Sequence, residues 1–175
     1  MKTKMMPIKA CAEVLPGFST KLAVSHDPDG SHQLVLAKHL PPEGPYKYNE
    51  EHALRITPDR PVDKYLLAPG YVLFMSRGSW NRAVMLESLR QPSIAPISFY
   101  ILRPRSVVIP EYLTWCINQI PMQSKITEIR TGAGTPLVNR KAFSDLQIAV
   151  PPIEFQKKIA MLSELMDQEK RLLGQ

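Results

Sequence analysis

Apolar positions in this chain gather into short runs instead of long periodic segments. Leu34 to Ala37, Tyr71 to Met75, Ala83 to Leu86, Ile97 to Leu102 and Leu146 to Val150 are each of strand length and rich in Val, Ile, Leu, Phe or Tyr. The first 60 residues are punctuated by Pro16-Gly17, His26-Asp27-Pro28-Asp29-Gly30, Pro41-Pro42-Glu43-Gly44-Pro45 and Thr57-Pro58-Asp59-Arg60-Pro61, all turn signals. Little regular structure is predicted between them. From Pro110 the period changes, because Leu113, Cys116, Ile117 and Ile120 fall at helical spacing behind a proline suited to the first helical position. That helix is predicted to end near Pro121. A second is predicted over about 122–129, followed by the polar loop Arg130-Thr131-Gly132-Ala133-Gly134-Thr135-Pro136. After one more strand, Pro151-Pro152 opens a last helix, Ile153 to Leu173, with Glu154 in its first turn and Lys170 and Arg171 in its last, as the helix dipole favours.

In that last helix Phe155, Ile159, Leu162, Met166 and Leu173 form an apolar stripe, interrupted by Glu169 and flanked by Leu165 and Leu172. At ~1.5 Å per residue the helix is roughly 30 Å long. It holds fewer heptads than a free-standing coiled coil needs. Two uses of the stripe are open: packing on its own domain, or serving as a handle for a partner chain.

Composition narrows the partners. Lys and Arg number 22 against 16 Asp and Glu, giving a net charge of +6 and a sequence pI near 9.4. An acidic partner is therefore expected. A chain of 175 residues, 44% hydrophobic, can bury a core of its own as one globular unit. Proline, at 17 residues, is about twice its average usage and predicts many short elements joined by stiff turns. Cys11 and Cys116 lack both the number for a disulfide framework and the spacing of a zinc site. The charged start is followed by no apolar signal core, and no run approaches the ~18 apolar residues of a membrane span. A cytoplasmic protein without a membrane partner is expected.

Catalytic signatures are missing from the sequence. No Asp or Glu has Lys two positions on, as one large nuclease class requires, and the Pro-Pro pairs read Leu40-Pro41-Pro42-Glu43 and Val150-Pro151-Pro152-Ile153, without the amide of a base methyltransferase site. Thr131-Gly132-Ala133-Gly134-Thr135-Pro136 lacks the Gly-Lys-Ser/Thr ending of a phosphate loop. His26, His32, His39 and His52 are irregularly spaced and expected to be solvated loop residues, not metal ligands. Ser76 and Ser79 sit on no Gly-x-Ser-x-Gly elbow. No catalytic residue, metal or cofactor is expected, and an enzyme is the weakest of the readings.

Three polar, basic segments lie between apolar strands. They are Ser76-Arg77-Gly78-Ser79-Trp80-Asn81-Arg82, Arg103-Pro104-Arg105, and Lys125 through Thr131-Gly132 to Asn139-Arg140-Lys141. Arg and Lys neutralise phosphates, Ser, Thr and turn amides donate to them, and Arg and Asn read guanine and adenine edges. Trp80 can stack. The structural alternative has Arg77 and Arg82 flanking a hairpin turn and pairing with acids while Trp80 caps the core.

Tyr65-Leu66-Leu67-Ala68-Pro69-Gly70-Tyr71-Val72-Leu73-Phe74-Met75-Ser76-Arg77-Gly78 resembles the Pro-Gly, apolar strand, Arg-Gly signature of target recognition domains in the specificity (S) subunits of type I restriction-modification systems. Ile109-Pro110-Glu111-Tyr112-Leu113 is similar to that family's helix start, and Thr131-Gly132 to Leu137-Val138-Asn139 to its Thr-Gly loop. Leu146 through Pro151-Pro152 to Ala160 is similar to its closing strand, Pro-Pro and helix. The blocks follow in order over residues 60–165. Tyr71 stands where the family has aspartate, and no second copy of the Pro-Gly or Thr-Gly blocks is present, so a half-length version is expected.

The resemblance implies a mixed α/β (α+β) target recognition domain over 1–150, followed by a helix over 151–175 that docks a partner. It implies a non-catalytic reader of double-stranded DNA, working with a methyltransferase subunit, with or without a restriction subunit, and a second recognition unit. If that second unit is an identical chain, the target is palindromic. By match to the motifs, Arg77, Gly78 and Ser79 after the strand, and Thr131, Gly132 and Asn139 in the Thr-Gly loop, are candidate DNA contacts. Loop position and chemistry add Lys38, Trp80, Asn81, Arg82, Arg140 and Lys141. Phe155, Ile159, Leu162, Leu165, Met166 and Leu173 are the candidate dimer or partner contacts. The runner-up is an interaction protein that does not bind DNA and docks a methyltransferase or nuclease through the helix.

Overall fold

A strand buried on both faces organises the molecule. In the computed structural model, which describes residues 2–21 and 23–174, the elements run β1 (Lys4–Pro7), α1 (Ile8–Cys11), β2 (Ala12–Pro16), β3 (His32–Leu34), β4 (Arg55–Ile56), β5 (Val72–Met75), β6 (Ala83–Met85), β7 (Ser93–Ile94), β8 (Phe99–Pro104), α2 (Pro110–Asn118), α3 (Ile120–Glu128), β9 (Arg130–Thr131), β10 (Leu137–Val138), α4 (Arg140–Asp145), β11 (Gln147–Val150) and α5 (Ile153–Leu173). The apolar run of β5 occupies an interior position in the four-stranded sheet β2-β8-β5-β6. Side chains alternate between faces of a strand. Val72 and Phe74, with Tyr100 and Leu102 of β8, meet α2, α3 and α4 on one face, while Leu73 and Met75, with Phe99 and Ile101, meet Val35, Tyr46 and Leu67 on the other. Such a strand reads as continuously apolar because it has no solvent face.

Stacking of Phe74 on Phe143, with ring centroids 4.2 Å apart, pins α4 to the sheet. A smaller sheet, β4-β3-β7, covers a third cluster of Phe18, Leu34, Ile56, Val62 and Ile94. At the N-terminus β1 pairs antiparallel with β11 in the register Lys4 to Val150 and Pro7 to Gln147. The strand that leads into α5 is thereby fixed to the body.

The mixed α/β class agrees with the sequence reading, and so do β5, β6, β11 and α5 within a residue or two. Several details differ. The run expected over 34–37 is the strand His32–Leu34 followed by a tight turn at Ala37–His39, and β8 begins at Phe99. Pro121 stands in the first turn of α3 and does not close α2, because the break is the extended residue Gln119. The first 60 residues contain β1, α1, β2, β3 and β4.

His39 is not a solvated loop residue. It is buried, stacked on His52 with centroids 5.5 Å apart, and its Nδ1 accepts from the Leu36 backbone N–H at 3.0 Å. That bond requires an unprotonated Nδ1. Burial foremost, then the charges of His52 and Lys38, holds its pKa below the usual value, and burial moves His32 the same way. With the folded pKa depressed, the unfolded chain binds more protons below about pH 6.5. The stability present above that pH is lost as pH falls toward the folded value. Melting temperature should therefore drop on acidification from neutral pH toward about pH 5, and His39→Gln should show a shallower drop. Equal pH slopes in the two proteins would contradict the assignment.

Candidate nucleic-acid interface

The β5–β6 connection runs from Ser76 to Arg82. Gly78 takes a φ of 89°, a conformation open to glycine and strained for other residues. Ser76 is buried with its hydroxyl donating to the Ser98 carbonyl at 3.0 Å. Asn81 is also buried, its Nδ2 donating to the carbonyls of Met75 (2.9 Å) and Gly78 (3.2 Å), while its backbone carbonyl accepts from Gln123 Nε2. These bonds brace the turn from inside. Arg77, Ser79 and Trp80 are left outside, Trp80 with 64% of its surface exposed.

A second loop is fused to the first. The β9–β10 hairpin turns at Gly132, where φ is 103°, and residues 131–135 are exposed. Gly78 N–H donates to the Pro136 carbonyl at 2.8 Å and Val138 N–H to the Ser76 carbonyl at 2.8 Å. Arg130 Nη1 donates to the Ser79 carbonyl at 2.9 Å. Asn139 Oδ1 then accepts from the Ala142 N–H at 2.9 Å, capping α4 and placing Arg140 and Lys141 in its exposed first turn. Beneath, the Tyr100 hydroxyl donates to the Val138 carbonyl at 2.6 Å. Burial pushes the Tyr100 pKa up, opposed by the positive charges of Arg140 and Arg77.

Arg77, Gly78, Ser79, Trp80, Thr131, Gly132, Asn139, Arg140 and Lys141 thus form one continuous surface. Asn81 belongs to its frame. Lys38 and Arg82 line an open cleft of about 1120 Å³ between the 38–47 loop, α2 and α5, with Arg82 at the edge that borders Trp80. Arg82 is half-buried, donates to the Pro41 carbonyl and sits 5.4 Å over the Trp80 ring, which places it behind the exposed surface. Burial lowers its pKa, with Glu43 opposing. Arg130 is a member that sequence reasoning passed over, although it directly precedes the Thr-Gly pair. Among the described residues no group of three or more His, Cys, Asp and Glu side chains could hold a metal ion. Among the described residues no helix is long and apolar enough to cross a membrane.

On α5 the stripe faces solvent. Phe155, Leu162, Leu165, Met166 and Leu173 are each more than half exposed, as are Met161 and Leu172, while Ile159 packs on the main core. The cleft wall is built from the opposite side of the helix, including Lys157, Ala160, Glu164 and Arg171.

No protein-family model matches the chain, and no curated protein matches it in sequence. Solved structures do. The HsdS subunit from Thermoanaerobacter tengcongensis superimposes with a TM-score of 0.72 at 16% identity, over 98% of this chain and 39% of the other. A chain of a type I R-M system, from work on its complex assembly and conformational transition, gives 0.67 at 17% identity, over 98% and 40%. The type I restriction-modification S subunit from M. genitalium gives 0.59 at 11%, over 99% and 41%. The fold is that of a type I S-subunit target recognition domain followed by a helix, as the sequence motifs imply. The chain spans about two fifths of the length of these proteins.

Proposed function

We propose that this chain is a non-catalytic reader of double-stranded DNA, a half-size specificity unit of a type I restriction-modification system. The observation that carries this is the hydrogen-bonded junction of the 76–80 and 130–138 segments, beside which Arg77, Ser79, Trp80, Arg140 and Lys141 are exposed. Guanidinium and ammonium groups position a duplex by its phosphates, and Arg77 and Ser79 can reach base edges. Trp80 offers an apolar face to a sugar or a base step.

A reader with one such surface grips one half-site, and α5 supplies the means to join two. Lys158 and Glu169 lie near the middle of the exposed apolar face, toward opposite ends of the helix. Parallel pairing of two copies would set like charges together. Antiparallel pairing sets Lys158 against Glu169 and Leu162 against Leu165 of the second copy, with the hydrophobic flank between. Two identical chains would then read an inverted repeat. The fold likeness also supports a methyltransferase subunit as a further partner and a cytoplasmic site of action.

The test is binding of the full chain to random-sequence duplex at increasing salt. Affinity should fall steeply, log K declining by about 0.9 for each phosphate neutralised per decade of salt. Absence of binding even at low salt would favour the docking protein that does not touch DNA.

A further inference from the structure

One residue of α5 is wholly buried, and it is polar. Gln156 Oε1 accepts from the Ile109 N–H at 3.0 Å, and its Nε2 donates to the carbonyls of Val107 at 2.9 Å and Pro151 at 2.8 Å. Ile109 is the residue that caps α2, so this amide ties the base of α5 to the start of the helix beneath it. A buried amide with both ends hydrogen-bonded tolerates little change of geometry. Ile159 and Ala160, one turn on, are half-buried. Beyond them α5 runs along the open cleft, with the 38–47 loop as the facing wall. Near its far end it meets the body through Arg171, whose Nη1 would lie 3.8 Å from a Cβ built on Gly44. The helix is a strut fixed at its base, with room beside it.

We propose that Gln156 is the positioning residue that fixes the angle between the recognition domain and α5, and so the spacing between two half-sites read by a pair of chains. The spacing part rests on the DNA-reading assignment above; the angle part does not. Gln156 to Leu173 spans about 26 Å at ~1.5 Å per residue. A tilt of ~10° at the base moves the far end by roughly 4–5 Å, more than the ~3.4 Å rise of a base-pair step. In a symmetric pair both arms contribute. The stripe beyond Ile159 does not set this angle, because Leu162, Leu165, Met166 and Leu173 face solvent.

The angle is measured on the full chain by spin-label distances between cysteines introduced as Glu128→Cys and Lys170→Cys, both exposed positions, against buried Cys11 and Cys116. The native chain should give one narrow distance. Gln156→Ala and the isosteric Gln156→Glu, which keeps the acceptor and loses at least one of the two donated bonds, should broaden or shift it. Arg171→Ala should not. An unchanged distance in both Gln156 variants, or an equal change in Arg171→Ala, would overturn the angle. Selection of bound duplexes from a random pool then reads the spacing. Native chain should favour one separation of half-sites by about tenfold over its neighbours, and Gln156→Glu should cut that to about threefold or less with the half-site sequence unchanged. A spacing preference unaltered despite a broadened distance would overturn the spacing role. Failure of the native chain to enrich any duplex would count against the DNA-reading assignment instead, and the distance measurement would still decide the angle.

Discussion

Alanine at both Arg77 and Arg140 is expected to weaken duplex binding by about tenfold or more per side chain, at a cost of roughly 1–3 kcal/mol for each lost base contact. Where the contact is to phosphate, the salt dependence should flatten by about 0.9 per residue, close to two units for the pair. Both side chains are exposed, and among the described residues neither guanidinium is hydrogen-bonded to protein. The melting temperature should therefore stay near the native value. That separates them from Arg82, which is half-buried against Pro41 and Trp80 and whose loss would disturb the turn itself. Binding isotherms at several salt concentrations read both quantities. A double variant with native affinity and native slope would remove this surface from the interface.

The second large effect concerns pairing. Leu162→Glu with Met166→Glu should convert a dimer into a folded monomer, read by light scattering or sedimentation. Both side chains are more than half exposed and line the solvent face of α5, so the body should keep its stability. Carboxylates there would face apolar groups of the second copy and lose hydration without a partner. Loss of the pair should cost a two-half-site duplex some 10²- to 10⁴-fold in affinity, since the second contact is no longer intramolecular, while a single half-site should bind as before. A native chain monomeric at high concentration would contradict self-pairing and leave the handle to a different subunit.

How much of this was legible depended on how local each signal was. The buried strand Val72–Met75 and the helix Ile153–Leu173 announce themselves because apolar runs and helical spacing are properties of contiguous residues. Lys4-Met5-Met6-Pro7 does not, since it becomes a strand through pairing with Gln147–Val150, far away in sequence. The same holds for Ser93–Ile94, a two-residue strand lying parallel to β3. In the candidate interface, the Arg-Gly turn and the Thr-Gly loop were visible as separate polar segments. Their fusion through Gly78, Pro136 and Val138 required the tertiary structure. Sequence also treats Asn81 and Trp80 alike, as neighbours in one polar loop, whereas folding buries the amide and exposes the ring. Gln156 is the extreme case. In the sequence it is one more polar residue in a helix whose packing is left open, and nothing local reveals that Val107 and Ile109 wait for its amide.

The most direct measurement of the central claim is selection of duplexes bound by the full native chain from a random pool, followed by sequencing. A short motif present twice, in inverted orientation and at a fixed separation, is the predicted result. A pool that emerges as random as it entered, under salt low enough to favour binding, would contradict DNA reading by this chain.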